Sequence, residues 1–364
     1  MKKVREFVSR IPFDVKIVFC AFPIILLLHL LFSVSEIFSE SYLRTVGAFF
    51  RTVLAWLTNF FPISIAEAMI IFVPVAVVIV IVLIVRTYQM SRDYSRIICR
   101  LISIVIVVYE LFVLTFAAGF YVRDIGEMYG IKRREISLDE LYSATVICAE
   151  GANARYDEID GRGPEFTTMG MSLDELNSKL LKSFDILSDE YGYPVKLWSR
   201  VKPVVLSEPM TYTHISGIYT FFTGEANINV NFPDFIIPFT AAHELSHQRG
   251  VSREDEANFV AFMVCIASND AYVRYSGYLN MLRYMSQALY SVSPEKYGEV
   301  YELLSDGVKA ELYSYSRFFD KYRENVAASV SDAVNDTYLS VMSGTDSRSY
   351  GMVVDLAALY LLEK

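Results

Sequence analysis

The sequence predicts a mainly α protein, with N-terminal transmembrane helices followed by an α+β domain that contains a small β-sheet. Hydrophobic residues make up 53% of the 364 residues, and the mean hydropathy of +0.33 is too high for an ordinary soluble chain. The long uncharged segments fall in the first third, and only residues 195–231 have the composition and alternation of strands. We therefore predict a membrane domain at 1–121 and a second domain at 122–364.

Three apolar segments are long enough to cross a bilayer, at about residues 17–34, 68–85 and 101–121. The first has no small-residue cleavage site at its end and is followed by further apolar segments. This favours an uncleaved anchor over a signal peptide, and the chain is predicted to be a multi-pass membrane protein.

Residues 42–61 have a different pattern, in which Arg44, Arg51 and Thr58 recur at intervals of seven. The polar groups therefore form one stripe, and Trp56 and several phenylalanines occupy the rest of the helix. This predicts an interfacial helix lying along the lipid bilayer, although a helix that docks on a protein would look the same.

The basic residues predict the orientation. The first fourteen residues and the 86–100 loop are rich in Lys and Arg, whereas the 35–67 connection is acidic on balance. Because positively charged loops stay inside, the N-terminus is predicted to be cytoplasmic and the second domain extracytoplasmic. The basic residues at 123–134 oppose this orientation.

The charge is divided unevenly, with a net +4 in residues 1–121 and −13 in residues 122–364, which gives the total of −9. No basic face is available for nucleic acid, so nucleic acid is excluded as a partner. The four cysteines form no CxxC pair and are expected to be buried free thiols, while a disulfide between Cys148 and Cys265 stays open.

The second domain begins with two predicted helices, at 136–152 with Ser137 as its N-cap and at 172–191 with a capping box. The Gly-rich loop 153–171 between them is long enough to predict a lid or a binding element. Strands are predicted in 195–231, including the alternating residues 226–231. Further helices are predicted at 256–291, 294–321, 324–342 and 350–362, and the last should pack on the domain because it is too short to span a membrane.

The chemistry is concentrated in residues 236–262, which contain His243-Glu244-Leu245-Ser246-His247. On a helix the two histidines lie on one face, and a metal held between them would have Glu244 beside it as a proton acceptor. The flanking residues are apolar, which argues against a solvated surface helix with two ordinary histidines. Ser252 and Asp255 resemble a capping box that opens a second helix after a turn at Gly250.

Glu254, Asp255 and Glu256 are the candidates for a third ligand. Adjacent helix positions differ by about 100°, so at most one of the three faces the histidines. Glu254 stands four residues before Asn258, and a ligand and a second polar residue at that spacing share a face. We expect Glu254 to be the ligand and Asn258 the acceptor that orients His243, with Glu256 as the alternative ligand if the helix starts later.

The segment HELSHQRGVSREDEANFVAF resembles the signature of the DUF3810 family of bacterial membrane proteins. The resemblance extends to FPISIAEA at 61–68 and FTGEANIN at 222–229. The site is also similar to zincin metallopeptidases with a glutamate ligand, in which E-x-x-A-N follows H-E-x-x-H. The gap between His247 and Glu254 is shorter than in most zincins.

These resemblances imply a zincin-like α+β metallopeptidase domain in a bacterial cell membrane, with one Zn²⁺ held by His243, His247 and Glu254. Glu244 is the expected general base, and the substrate is expected to be a peptide or protein. The strand at 226–231 would pair with an extended substrate. Residues expected to contact the substrate or its transition state are His214, Tyr219, Tyr278, Glu225 and Asn229.

A second hypothesis is a membrane-anchored zinc-binding sensor or binding protein without turnover. Such a protein needs the metal ligands but has no use for a carboxylate at position 244. The presence of Glu244 favours the enzyme.

Overall fold

The structure is a computed structural model, and it describes residues 11–90, 94–323, 329 and 349–363. Almost all of the helix expected at 324–342 lies outside these residues. The N-terminal helices are α1 (Phe13–Val34), α2 (Glu36–Tyr42), α3 (Ala48–Asn59), α4 (Ile65–Met90) and α5 (Ser95–Thr115). A π-helical turn, Leu43–Gly47, joins α2 to α3.

The second domain is mainly helical with one small sheet. Its elements in chain order are α6 (Ile125–Met128), α7 (Leu138–Glu158), α8 (Leu173–Tyr191), β1 (Val201–Pro203), α9 (Ser207–Thr211), β2 (Gly217–Thr220), β3 (Glu225–Ile228), α10 (Ile237–Gln248), α11 (Glu254–Ile266), α12 (Ala271–Val292), α13 (Pro294–Leu303), α14 (Asp306–Phe318) and α15 (Ser349–Glu363). The predicted fold class is confirmed as mainly helical with a small sheet.

Helices α1, α4 and α5 are each long and apolar enough to cross a membrane. The third candidate span ends at Thr115 rather than at residue 121, because the chain leaves the α-helix for a 3₁₀ turn at Ala117–Phe120. That turn packs against the second domain so tightly that a Cβ on Gly119 would lie 2.2 Å from the Ser252 hydroxyl oxygen. The end of the span is therefore set by a tertiary contact.

Helix α3 turns its polar stripe towards the protein. Arg51 and Thr58 are buried, whereas Phe49 and Trp56 are exposed. The predicted stripe is correct, but its partners are protein atoms and not water. The Arg51 guanidinium donates to the carbonyls of Leu43, Thr115 and Arg249.

The three strands lie in the order β1–β3–β2, with β1 parallel and β2 antiparallel to β3. The strand expected at residues 226–231 is therefore the middle strand, and it ends at Ile228. Both of its edges are paired, so it offers no hydrogen bonds to a substrate. This expectation was wrong, and β2 is the strand that carries a free edge beside the candidate site.

The two predicted N-caps at Ser137 and Ser172 are confirmed, each as a full capping box. The capping box predicted at Ser252 is wrong. Helix α11 starts at Glu254 with Arg253 as its N-cap residue, and the Ser252 hydroxyl donates instead to the Phe116 carbonyl. The C-terminal helix α15 packs on α7, α11 and α12, as expected.

The loop after α7 does not act as a lid over the candidate site. Its Thr167 is buried and hydrogen-bonded to Glu311 and Tyr272, and the Met169 amide donates to Asp234. All four cysteines are free, so the disulfide between Cys148 and Cys265 that the sequence allowed is not formed. Cys99, Cys148 and Cys265 are buried, as expected, while Cys20 is exposed.

A buried ion pair joins the sheet to the N-terminal helices. The Lys202 ammonium lies 2.6 Å from Glu225 and also donates to the carbonyls of Thr58 and Ile63. Glu225 accepts from the backbone amides of residues 65 and 66 at the start of α4. Its negative charge at that helix end is favourable, because the first amides of a helix have no partners within the helix.

We expect Glu225→Leu to lower the free energy of unfolding by about 3 kcal/mol or more, because it leaves the buried Lys202 charge unpaired. The double variant Glu225→Leu with Lys202→Met should recover part of that loss, since neither charge then remains. Thermal unfolding in detergent measures both. Removing the exposed Lys196–Asp189 pair is the control and should change little; an equal loss there would contradict the argument.

Candidate metal centre

The H-E-x-x-H segment forms the last two turns of α10, which has Pro238 in its first turn, where a missing amide hydrogen is tolerated. The chain then reverses at Gly250, whose φ is +100°. A Cβ there would lie 2.9 Å from Arg51 and from Leu43, so only glycine fits both the conformation and the space. The turn brings the start of α11 back over the histidines.

Three side chains converge across this turn. The His243 and His247 Nε2 atoms are 3.0 Å apart, and the Glu254 carboxylate lies 3.2 Å from the first and 3.5 Å from the second. Ligands at zinc distances in a tetrahedron are separated by about 3.3 Å. The two Glu254 distances belong to different oxygens, Oε2 towards His243 and Oε1 towards His247, and the spacing of the three side chains is compatible with a single tetrahedral ion.

The hydrogen bonds of His247 orient its lone pair towards this cluster. Its Nδ1 lies 2.7 Å from the Val251 carbonyl, which can only accept, so Nδ1 carries a proton. In the neutral ring the Nε2 lone pair then points at His243 and Glu254. A cation, either a metal ion or a proton, would be stabilised between this lone pair and the Glu254 carboxylate.

The pKa values of His247 and Glu254 show how the buried charges of the cluster affect each other. Burial by itself lowers the pKa of His247, but the Glu254 carboxylate outweighs it and raises the pKa to about 9. Burial acts to raise the pKa of Glu254, yet the adjacent His247 and His243 hold it far below its usual range. The Glu254 carboxylate is thus ionised over the physiological range, and His247 holds a proton that a metal must displace.

The neighbouring acidic residues are held elsewhere. Asp255 pairs with Arg133 at 2.7 Å, and Glu256 accepts from the Ile125 amide and from Arg253. Of the three adjacent carboxylates, only Glu254 lies beside the histidines. This is the carboxylate that the four-residue spacing to Asn258 predicted to face them.

Glu244 is buried beside the two histidines, at the edge of β2. The backbone amide of Tyr219 hydrogen-bonds its carboxylate, and Gly217 faces it so closely that a Cβ there would lie 2.6 Å from Oε1. Burial raises the pKa of Glu244 to about 7, against the opposing pull of the histidines. A carboxyl group with this pKa can take up and release a proton near neutral pH.

The cluster opens into a cleft of about 1250 Å³ between β2, α10 and helices α12–α14. Phe116, Ile218 and Tyr219 line one side of the cleft, and several tyrosines line the other. The lining of the cleft is therefore rich in aromatic side chains, and it includes the three convergent side chains and Glu244.

The sequence profile described as "Protein of unknown function (DUF3810)" matches residues 42–358. The chain belongs to the DUF3810 family. The match includes α3 to α5 and the whole convergent cluster, so the DUF3810 resemblance seen in the sequence is confirmed. No curated protein and no solved structure matches the chain.

Within this DUF3810 chain, two of the expected substrate contacts line the cleft. Tyr219 stacks on His247 with ring centres 6.4 Å apart, and its buried hydroxyl has no hydrogen-bond partner among the described residues. His214 also lines the cleft, but its Nε2 donates to the Tyr322 carbonyl and its ring packs on Phe319.

Three other expected contacts do not line the cleft. Glu225 is used by Lys202 and the start of α4, Asn229 is buried against Thr211, and Tyr278 packs on Phe262. Each of these three side chains makes contacts within the folded domain instead. Glu225 and Asn229 were expected near the site because they surround a strand that proved to be the central one.

Asn258 does not orient His243 as expected. Its Oδ1 accepts from the Tyr284 hydroxyl at 3.4 Å, and His243 Nδ1 has no hydrogen-bond partner among the described residues. Tyr284, which sequence reasoning missed, lies on the face of α12 that lines the cleft together with Asn280, Arg283 and Gln287. Their i, i+3, i+4, i+7 spacing is the signal that would have found this face.

We expect Glu254→Gln to reduce zinc affinity by about 100-fold or more, because loss of a ligand exceeds the effect of outer contacts. Glu256→Gln makes the same change two residues away and should leave the affinity unchanged. Burial raises the pKa of Glu256 to about 7, so the neutral amide is a mild substitution there. Competition with a chelating indicator measures the zinc affinity of both variants. If the Glu256 variant loses zinc and the Glu254 variant does not, the assignment of Glu254 as the ligand is wrong.

Zinc affinity should fall with falling pH. His247 is protonated below about pH 9 and must lose that proton to bind a metal, so each pH unit below 9 should weaken binding by up to about tenfold. Titration of the purified protein with zinc at several pH values checks the slope. Binding that is independent of pH would show that the metal does not bind at His247.

Proposed function

We propose that the protein is a membrane-anchored, zinc-dependent metallopeptidase whose second domain has a zincin-like organisation. The observation that carries this proposal is the tetrahedral spacing of the His243, His247 and Glu254 ligand atoms beside a buried Glu244. The donor set of two imidazoles and one carboxylate suits zinc. The proposed location is a bacterial cell membrane, with the catalytic domain on the extracytoplasmic side.

A bound Zn²⁺ supplies Lewis acidity and lowers the pKa of a water molecule. Glu244 then acts as general base, since its carboxylate accepts the proton of the attacking water and passes it to the leaving amine. The Tyr219 amide and the space left by Gly217 hold that carboxylate in place.

No described strand pairs with the outer edge of β2, where Glu244 uses the Tyr219 amide and the remaining backbone groups can hydrogen-bond an extended polypeptide whose side chains enter the cleft. Tyr219 is the candidate donor to the tetrahedral oxyanion because its ring lies against His247, but its hydroxyl is buried and the side chain must turn into the cleft to reach a substrate. Of the other two expected donors, Tyr278 does not line the cleft, and the Tyr322 carbonyl occupies the Nε2 of His214.

The second candidate is a non-catalytic zinc-binding sensor. Structural zinc sites are normally closed by four protein ligands, and here three converge among the described residues. Three ligands leave one position open to a cleft, and burial of a carboxylate at Glu244 without a role would only destabilise the fold. Both features favour the enzyme.

Glu244→Gln should bind zinc as the wild type does and lose about 10²–10⁴-fold in peptide hydrolysis, because the ligands stay and the base is removed. Zinc content and turnover of a fluorogenic peptide library are measured on the same preparation. Hydrolysis at the wild-type rate would remove Glu244 from the mechanism.

Gly217→Ala should slow hydrolysis while zinc stays bound. Contact with the new Cβ at an ordinary distance of 3.4 Å requires the Glu244 carboxylate to move by about 0.8 Å, and a displacement of about 1 Å in a catalytic group costs about 100-fold. Gly298→Ala is the control, because no atom lies within 4 Å of a Cβ there. Equal rates for the two variants would contradict this placement of Glu244.

A further inference from the structure

The second domain carries an exposed apolar surface away from the cleft. It consists of Trp198, Val205 and Leu206, which are 70%, 72% and 45% exposed, and we call it the 198–206 surface. Exposed apolar side chains on one side of a folded domain mark an interaction site, and hydrogen bonds of Arg200 and Glu67 hold both segments of this surface at the α3–α4 connection. None of the three lines the cleft.

Two sets of hydrogen bonds fix the level of this surface relative to the candidate spans. The Glu67 carboxylate, in the first turn of α4, accepts from the amides of Val205 and Leu206 at 2.8 and 2.7 Å. Arg200 donates to the carbonyls of Asn59 and Phe61 at 3.0 and 3.1 Å. The 198–206 surface is therefore tied to the point where α4 begins.

The apolar surface continues on the connection between α3 and α4. Trp56, Phe60, Phe61 and Ile63 are each at least half exposed. A belt that combines tryptophan with aliphatic side chains at the end of a span is typical of the boundary between lipid headgroups and acyl chains. Because the 198–206 surface adjoins the apolar residues at the end of a candidate span, we take lipid to be what covers it.

The convergent cluster lies at the same level. Phe116 follows the last residue of α5, and its ring centre is 5.8 Å from that of His247. The Thr115 hydroxyl donates to the Phe221 carbonyl just after β2, so one end of β2 rests on the end of this span. Because each headgroup region is about 5–8 Å thick, the cluster lies at the depth of the headgroups.

We infer that the 198–206 surface seats the second domain on the lipid bilayer and that the cleft therefore receives polypeptides held at the bilayer by a membrane anchor. The substrate class rests on the proposed peptidase function, whereas the seating does not. A chain bound along β2 has one end at the membrane, so the scissile bond lies a few residues from the anchor.

The first experiment tests the seating with tryptophan fluorescence, since the chain has only two tryptophans. In the Trp56→Phe variant Trp198 is the single reporter. The full-length protein is placed in vesicles of phospholipid brominated near the top of the acyl chains, with no other protein present. Trp198 emission should be quenched by the brominated lipid and shielded from aqueous iodide.

The control reporter is Leu303→Trp in a chain that also carries Trp56→Phe and Trp198→Phe. The exposed fraction of Leu303, 48%, is similar to the 45% of Leu206. Leu303 lies on α13, however, which packs on α7 and α12. Iodide should quench this reporter and brominated lipid should not. If Trp198 behaves as the Leu303→Trp reporter does, the 198–206 surface faces water and the inference is overturned.

The second experiment tests the substrate class with one fluorogenic peptide, made with and without an N-terminal fatty acyl chain. Vesicles bind the acylated form and raise its concentration at the surface, so it should be cleaved at least about tenfold faster. Val205→Asp with Leu206→Asp should reduce this preference, because the cleft is then no longer seated against the lipid, and turnover of the soluble form is the reference for correct folding.

Equal turnover of the two peptides by the wild type would overturn the substrate class. An undiminished preference in the double variant would overturn the role of the 198–206 surface in presenting the substrate. If neither peptide is cleaved while Trp198 is quenched by lipid, the peptidase function fails and the seating stands. The two failures are therefore distinguishable.

Discussion

The structure depends on one buried guanidinium. Arg51 of α3 is fully buried and donates to three backbone carbonyls, of Leu43 in the π-helical turn, Thr115 at the end of α5 and Arg249 at the end of α10. The last carbonyls of a helix have no partners within the helix, and a cation satisfies them better than a neutral donor. A single side chain therefore ties a candidate span, α3 and the H-E-x-x-H helix together.

The geometry of the candidate metal centre follows from that connection. Gly250 lies against Arg51 and adopts a φ of +100°, and the resulting turn directs Glu254 towards the histidines with only six residues between His247 and Glu254. Arg249 is also buried, donates to the Leu197 carbonyl and stacks on Phe184. Two buried arginines thus hold the end of α10 rigidly, which an ion with fixed ligand distances requires.

The same connection explains why the membrane helices and the second domain cannot be treated as separate units. Lys202 and Glu225 join β1 and β3 to the start of α4, Arg51 joins α10 to α5, and Ser252 joins the turn after α10 to Phe116. The candidate site is consequently held at the end of the spans, and its cleft wall includes Phe116. In the proposed function this makes the bilayer part of the working enzyme and not only an anchor.

The sequence by itself determined the features that depend on local pattern. Apolar length gave the three candidate spans, Ser137 and Ser172 gave the N-caps, and the spacing of His243, His247 and Glu254 gave the convergent cluster. Helical periodicity fixes which side chains share a face, so residues four apart can be grouped without knowing the fold. For that reason the four-residue step from Glu254 to Asn258 selected the carboxylate that the structure places beside the histidines.

Only the tertiary structure decided the features that depend on distant partners. The order of the strands made β3 central and β2 the free edge, which removed Glu225 and Asn229 from the cleft and left Tyr219 in it. The capping role expected of Ser252 was lost because its hydroxyl binds Phe116, which is 136 residues away. Strand order and long-range hydrogen bonds are set by how whole elements pack, and no window of sequence contains both partners.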